Sequence, residues 1–295
     1  MGQILSEGTP TSILHALSTT RISAHIQQLG AGVSISDLYD ATVITDIGEL
    51  AVSELADQAA RTVDRYIFGQ IINHDTQIAG DSVLHFFKTS TEVTEYWGET
   101  STISAGIMTV SSTNVLATSD LRMASYRLRQ LGAEPYDGKN YIAIMNSETA
   151  EDIAGDSTWI DWHQYPANEV EALYAGEIGR VYGIRVVEDN AGPAKRGSNY
   201  GATASSIAYG TVIFGKGFYG VTELDGGIKR YGPLNTSEKA DILNQQIIHG
   251  WKCDLAAQVL NPSAGCIFWA GSGDTTTADA ESASSGLRHE APASY

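Results

Sequence analysis

The sequence predicts a mixed α+β fold. Three observations carry that reading: one long amphipathic helix near the start, strand and helix alternating through the middle, and a run of short β-branched and aromatic segments broken by glycines. A chain of 295 residues, 42% hydrophobic, buries a substantial core as one large domain or two closely joined ones.

The elements follow in order. Thr20 to Ile35 alternates loosely between apolar and polar residues, which fits a half-buried strand or hairpin arm that needs a partner surface. Ile47, Ala51, Leu55, Ala59, Val63, Ile67 and Ile71 then recur every four residues, predicting a helix over 46–73. Asp46 and Glu49 are spaced like a capping box. At 1.5 Å per residue this helix is about 40 Å long. Val83 to Trp97, rich in aromatic and β-branched residues, reads as extended structure. A second helix runs from Ser119 to Leu131, ended by Gly132 with Pro135 beyond it.

Tyr141 to Met145 reads as a buried-type strand, and Ser147 to Asp152 opens another helix. Val181 to Val187 reads as one strand, and a Gly, Ser and Ala-rich loop covers Asn190 to Ser206. Thr211 to Phe214, Tyr219 to Leu224 and Ile228 to Tyr231 read as short strands separated by glycines. Periodicity leaves Ile242 to Leu260 open between helix and strand. From Gly271 to Tyr295 the composition is Ser, Ala, Thr and Gly-rich, which predicts a tail held by few contacts.

Charge and cysteine content narrow the function classes. With 18 basic and 35 acidic residues the formal charge is −17, which opposes general binding to nucleic acid or anionic membranes. No apolar run approaches the roughly 20 residues that span a bilayer. Two cysteines, Cys253 and Cys266, are too few for a disulfide scaffold or a four-cysteine zinc site and fit a reducing, cytoplasmic origin.

Each chemical motif has a plainer structural explanation. Gly210 to Lys216 spells seven positions of a phosphate-binding loop, but Gly217 stands where a Mg²⁺-ligating hydroxyl belongs, and Thr-Val-Ile-Phe is strand composition. His249 and Cys253, four apart, with Cys266 as a third donor, would suit a metal, but three or four convergent donors are needed and burial explains these residues better. In Trp159-Ile160-Asp161-Trp162-His163, read as strand or loop, Asp161 and His163 place an acid near an imidazole without an activated nucleophile. The carboxylate pairs Glu92/Glu95 and Asp75/Asp81 are expected by chance in so acidic a chain. No catalytic, cofactor or metal site is therefore assigned.

Several stretches together resemble the major capsid proteins of tailed bacteriophages related to coliphage N-four. They are Leu5-Ser6-Glu7-Gly8-Thr9-Pro10; Glu54-Leu55-Ala56-Asp57-Gln58-Ala59-Ala60; Tyr141 to Met145; Gly176 to Arg185; Phe214 to Val221; and Gly250-Trp251-Lys252 leading to Leu260-Asn261-Pro262. The resemblance runs from about Leu5 to about Ile267 and implies a Hong Kong 97-type capsid fold. It assigns 1–38 to an extended loop lying over a neighbouring subunit and 39–175 to a peripheral domain whose spine helix is 46–73. It assigns 176–240 to an axial domain and 241–268 to a return into the peripheral domain, leaving 269–295 as a flexible tail.

The family also carries an N-terminal arm and a first loop strand ahead of the Glu-Gly-Thr-Pro-like segment. Almost nothing precedes that segment here. Either the natural chain is longer or this inter-subunit clasp is built differently.

The function implied is self-assembly, as a homo-oligomer of hexamers and pentamers, into an icosahedral shell around double-stranded DNA. The shell forms in the bacterial cytoplasm and ends in the virion, with portal and scaffolding or decoration proteins as partners and no membrane. An encapsulin-like compartment shares the implied fold, and a hydrolase or nucleotide-binding enzyme is the alternative of another class. Candidate interface residues are Glu7, Arg21, His25, Arg61, Arg65, Lys195 and Arg196. An acidic lining would let packaged DNA slide without specific binding.

Overall fold

The computed structural model describes residues 21–43, 47–72, 83–89, 92–97, 110–111, 113–164, 177–190, 192, 194–196, 207–235 and 245–272. Two sheets organise them. The smaller is antiparallel, in the order β1 (Gln27–Ser36), β10 (Gln246–Val259), β9 (Tyr219–Asn235). The larger runs β3 (Val93–Trp97), β2 (Leu84–Lys88), β11 (Gly265–Ala270), β8 (Ile207–Phe214), β4 (Tyr141–Met145), β6 (Ile184–Glu188), β5 (Glu177–Val181). The short β7 (Ala194–Arg196) also pairs with β8.

Helix α2 (Ile47–Ile72), preceded by the one-turn α1 (Asp37–Thr42), is the helix expected over 46–73; Asp46, the proposed cap, lies outside the described residues. Its four-residue stripe exists because β10 offers a matching surface. Along β10 the odd positions Trp251, Cys253, Leu255 and Ala257 are buried, and they form one core with Leu55, Ala59 and Tyr66 of α2. Leu29 and Ala31 of β1, opposite Cys253 and Trp251, pack against the same core. Beyond this sheet the last turns of α2 place Phe68, Ile71 and Ile72 on the larger sheet, against Phe87, Val212, Ile267 and Trp269. One helix thus closes cores on both sheets.

The other face of the larger sheet is covered by α3 (Thr118–Gln130), α4 (Ser147–Ala154) and α5 (Ser157–Gln164). Leu121, Ala124 and Leu128 of α3, Ile153 of α4 and Trp159 of α5 meet Phe86, Tyr141, Ala143, Met145, Val186 and Phe268. The start of α3 is tied down by two carboxylates. Asp120 accepts from the Ala117 N–H at 2.9 Å and pairs with the Lys88 ammonium. Asp156 accepts from both the backbone N–H and the hydroxyl of Thr118 and from the Thr158 N–H. Burial alone would raise the Asp156 pKa, but these hydrogen bonds outweigh it and hold the group below the ordinary carboxylate value.

Several expectations are corrected. Val181 to Val187 is not one strand: β5 and β6 form a hairpin, because Tyr182 (φ 49°) and Gly183 (φ 77°) supply the positive-φ pair of a two-residue turn. The short strands at Tyr219–Leu224 and Ile228–Tyr231 are one strand, β9. Asp225 to Ile228 bulge out opposite Cys253, and Gly226 and Gly227, both at positive φ, make that bulge possible. The 242–260 segment, open between helix and strand on periodicity, is extended over 246–259, with burial alternating at a period of two along most of it. Within the Asn190 to Ser206 loop, Ala194–Arg196 is strand β7.

Strands on either side of the boundaries that the resemblance implies are paired: β4 and β6, on either side of 175/176, are parallel neighbours, and β9 and β10, on either side of 240/241, are antiparallel. Within 241–268, β10 belongs to the smaller sheet and β11 to the larger.

Two consequences are measurable. Leu55→Ala removes a buried side chain from between α2 and β10 and is expected to cost about 2–5 kcal/mol, whereas Leu50→Ala, at a site 55% exposed, changes stability by about 0.5 kcal/mol or less. Urea titration of both variants checks this. Because the native pKa of Asp156 is depressed, its contribution is complete above the ordinary Asp value of about 3.9 and is lost as pH falls through the lower native value. Asp156→Asn is therefore expected to lower Tm at neutral pH and to flatten the loss of stability below about pH 4, measured by calorimetry across pH.

Candidate assembly surface

The chemical motifs resolve into structural positions. Gly210 to Phe214 lies in β8, hydrogen-bonded between β11 and β4, so its backbone is committed to the sheet and cannot wrap a phosphate. Gly215 is required there because a side chain would meet the Glu134 carbonyl at 2.2 Å, and Gly217 turns the chain at φ 77° into β9. His249 and Cys253 share one face of β10, as strand residues four apart must, but Cys266 is buried in the other core with Phe268 and Met145. Complete burial pushes the Cys266 thiol far above its ordinary value. Burial first, then Glu223 and Asp254, raises Cys253. Among the described residues no group of three His, Cys, Asp or Glu converges as a metal site.

The Trp159 to His163 stretch, read as strand or loop, is helical in α5. Glu95 is bound by Arg127 through both guanidinium and carboxylate pairs of atoms, one bond being 2.8 Å, while Glu92 is exposed. Asp75 and Asp81 lie outside the described residues.

The candidate interface residues fall in separate places. Glu7 is outside the described residues. Arg21 and His25 are exposed on the irregular segment leading into β1. Arg61 is exposed and Arg65 half-buried on α2, away from the β10-facing stripe. Lys195 and Arg196 occupy β7, at the side of β8.

The structure reveals a surface that the sequence reading missed. The two faces of β4 differ: Tyr141, Ala143 and Met145 are buried, but Ile142 and Ile144 are half-exposed. With Val187 of β6, Phe214 of β8, Phe218, Tyr219, Val221 and the side chain of Tyr136, they line an apolar groove of about 600 Å³. Asp64 of α2 lies within electrostatic reach of Tyr219, and Asp189 within reach of Asp64. Burial, reinforced by Asp189, raises the Asp64 pKa; burial likewise raises Tyr219, with Tyr136 and Asp64 adding to it. A signal did exist in the sequence, since apolar residues at both parities of 141–145 exceed what one covered face requires. Nothing local says which face stays open.

No family model and no curated protein matches the chain by sequence. Solved structures do match, and they define a class: shell subunits of bacterial viruses with the Hong Kong 97-type capsid fold, which is the fold of this chain. The capsid of Ralstonia phage GP4 superposes with a TM-score of 0.60 at 11% identity, over 86% of this chain and 75% of that one. The capsid of cyanophage P-SCSP1u gives 0.53 at 18% identity, over 90% and 81%. The acid-stable capsid of Helicobacter pylori bacteriophage KHP30 gives 0.55 at 11% identity, over 84% and 76%.

Both cysteines are 2% exposed or less, so a small thiol reagent is expected to leave native protein unmodified and to label two thiols after denaturation. Rapid labelling of the native state would show that one of the two cores opens readily.

Proposed function

We propose that this chain is the major capsid protein of a tailed bacteriophage, a subunit that assembles with copies of itself into a closed icosahedral shell around double-stranded DNA. The observation that carries the reading is the extent of the structural likeness. Capsid subunits of several phages align over more than four-fifths of this chain and three-quarters or more of their own length. The resemblance to the coliphage N-four group along Leu5 to Ile267 supports the same reading.

In this reading α2 with β1, β9 and β10 forms the peripheral domain, and the larger sheet with α3 to α5 forms the axial domain, which meets its symmetry mates at capsomer centres. The physical mechanism is repetition. Head-to-tail contacts between identical subunits close into rings, and many modest contacts per subunit sum to a stable container. Arg21, His25, Arg61 and Arg65 are proposed to meet acidic surface on neighbouring copies, as are Lys195 and Arg196. Portal and scaffolding proteins are the expected partners in assembly. The charge of −17 suits a container whose DNA must move in and out, because few cations are available to pin phosphates. The role requires no catalytic group.

Electron microscopy of the chain expressed with its scaffolding protein is expected to show hollow, closed particles. A protein that stays at the mass of one chain under every assembly condition would overturn the proposal. Duplex DNA is expected to pass the purified protein without retention at about 0.15 M salt, and tight salt-sensitive binding would contradict the account of the charge.

A further inference from the structure

We infer that the exposed face of α3 carrying Arg122, Tyr126 and Arg129 docks on the acidic outer face of α2 in a neighbouring copy of this chain. The inference rests on the shell reading and names one contact within it.

Arg122, Tyr126 and Arg129 follow one another on α3 at steps of four and three residues, so they share one helix face. All three are exposed, Tyr126 at 61%. The turn between β5 and β6 holds the two arginines in place. The Tyr182 ring lies under the Arg122 guanidinium at 5.9 Å, and the Tyr182 carbonyl accepts from Arg129 at 3.3 Å and from the Ser125 hydroxyl at 3.0 Å. Tyr182 does this at φ 49°, a left-handed conformation that is costly for a tyrosine and open to glycine. The strain is kept at a residue whose ring and carbonyl both serve exposed cations.

Neither arginine has a carboxylate partner among the described residues, although the chain holds 35 acidic side chains against 18 basic. Lys88, Arg127, Arg180 and Arg185 are each paired with Asp or Glu. Two unpaired, prepositioned guanidinium groups on so acidic a chain fit a surface that bears carboxylates, because little side-chain freedom is lost when they pair. α2 carries that surface. Asp57 and Asp64 are both exposed and stand seven residues apart, as Arg122 and Arg129 do. Each pair therefore spans about 10.5 Å along one helix face at 1.5 Å per residue. Between the aspartates the exposed Ala60 and Arg61 stand where Tyr126 stands between the arginines, giving its ring a small side chain to lie on and a cation to face.

Geometry makes the partner a second copy. The end of α2 closes the core on one face of the larger sheet and α3 covers the other face, so the sheet separates the two surfaces within one chain. A surface on one side that fits a surface on the other produces a head-to-tail contact in which each copy gives one and receives one, and such contacts close into rings. Copies of formal charge −17 repel at long range. That field is screened beyond about 8 Å at 0.15 M salt, so local opposite charge selects which surfaces touch.

The test is a charge exchange read in assembled particles. Arg122→Asp with Arg129→Asp is expected to reduce particle yield at least tenfold, as is Asp57→Arg with Asp64→Arg, and all four substitutions in one chain are expected to restore most of it. The four sites are exposed, so circular dichroism of the unassembled subunit is expected to stay unchanged, which separates a lost contact from a lost fold. A cross-link gives a second readout. Both native cysteines are buried, so Tyr126→Cys and Ala60→Cys variants are co-assembled and oxidised. A disulfide-linked dimer is expected in the mixed particles and not when either variant assembles alone, nor when Tyr126→Cys is mixed with Leu38→Cys, at an exposed site on α1. Normal yield after either reversal, a yield that the fourfold exchange does not restore, or particles without the cross-link overturn this contact and leave the shell reading standing. Duplex DNA retention that falls with the arginine reversal assigns the face to nucleic acid and overturns it likewise. Absence of particles from the unsubstituted chain overturns both.

Discussion

The packing of α2 against β10 is the constraint on which the rest of the structure depends. Leu55, Ala59 and Tyr66 bury the odd face of β10, and the same helix ends with Phe68, Ile71 and Ile72 in the core of the larger sheet. An α-helix is stiff because every internal backbone hydrogen bond is made within it. Shared between two cores, it fixes how the sheets stand to each other. The chain also crosses between the sheets twice in one place: the Leu260 N–H donates to the Phe218 carbonyl, and the Gly215 N–H to that of Ala264. Gly265 is needed at this crossing because a side chain would stand 2.4 Å from the Phe218 ring. Helix and crossing together make a rigid joint.

Rigidity of this kind suits the proposed role. A closed shell depends on a narrow distribution of angles between neighbours, so a subunit hinging between its sheets would spread assembly over many curvatures. Variable contact is better left to elements that the core does not hold. Residues 21–26 and α1, with Leu38 and Tyr39 strongly exposed, have that character. Their apolar groups gain from a neighbour what the subunit itself does not provide.

Acidity and burial serve different purposes in the molecule. Asp120 and Asp156 are used internally, holding the start of α3 through its free backbone and hydroxyl donors. Desolvation, reinforced by Asp189, raises the pKa of Asp64 on α2. The cysteines and His249 are spent on packing, on faces that the strand period fixes. This is why motifs suggestive of phosphate or metal chemistry dissolve once the strands are paired: their backbone and side chains are already occupied.

How much of this was legible follows from the range of each interaction. The helix over 46–73, the helix after Ser119 with its stop at Gly132, the strand at Tyr141 and the extended pair within Val83 to Trp97 are written in local periodicity and capping, which act over a few residues. The Tyr182-Gly183 turn and the bulge at Gly226-Gly227 were also written locally, but in backbone preference, and hydrophobic pattern alone passed over them. Only tertiary structure decided that 246–259 is a strand, that β4 and β6 share a sheet, and that Ile142 and Ile144 face an open groove. Each of those depends on partners dozens to hundreds of residues away, and a sequence window does not contain the surface against which its side chains are buried.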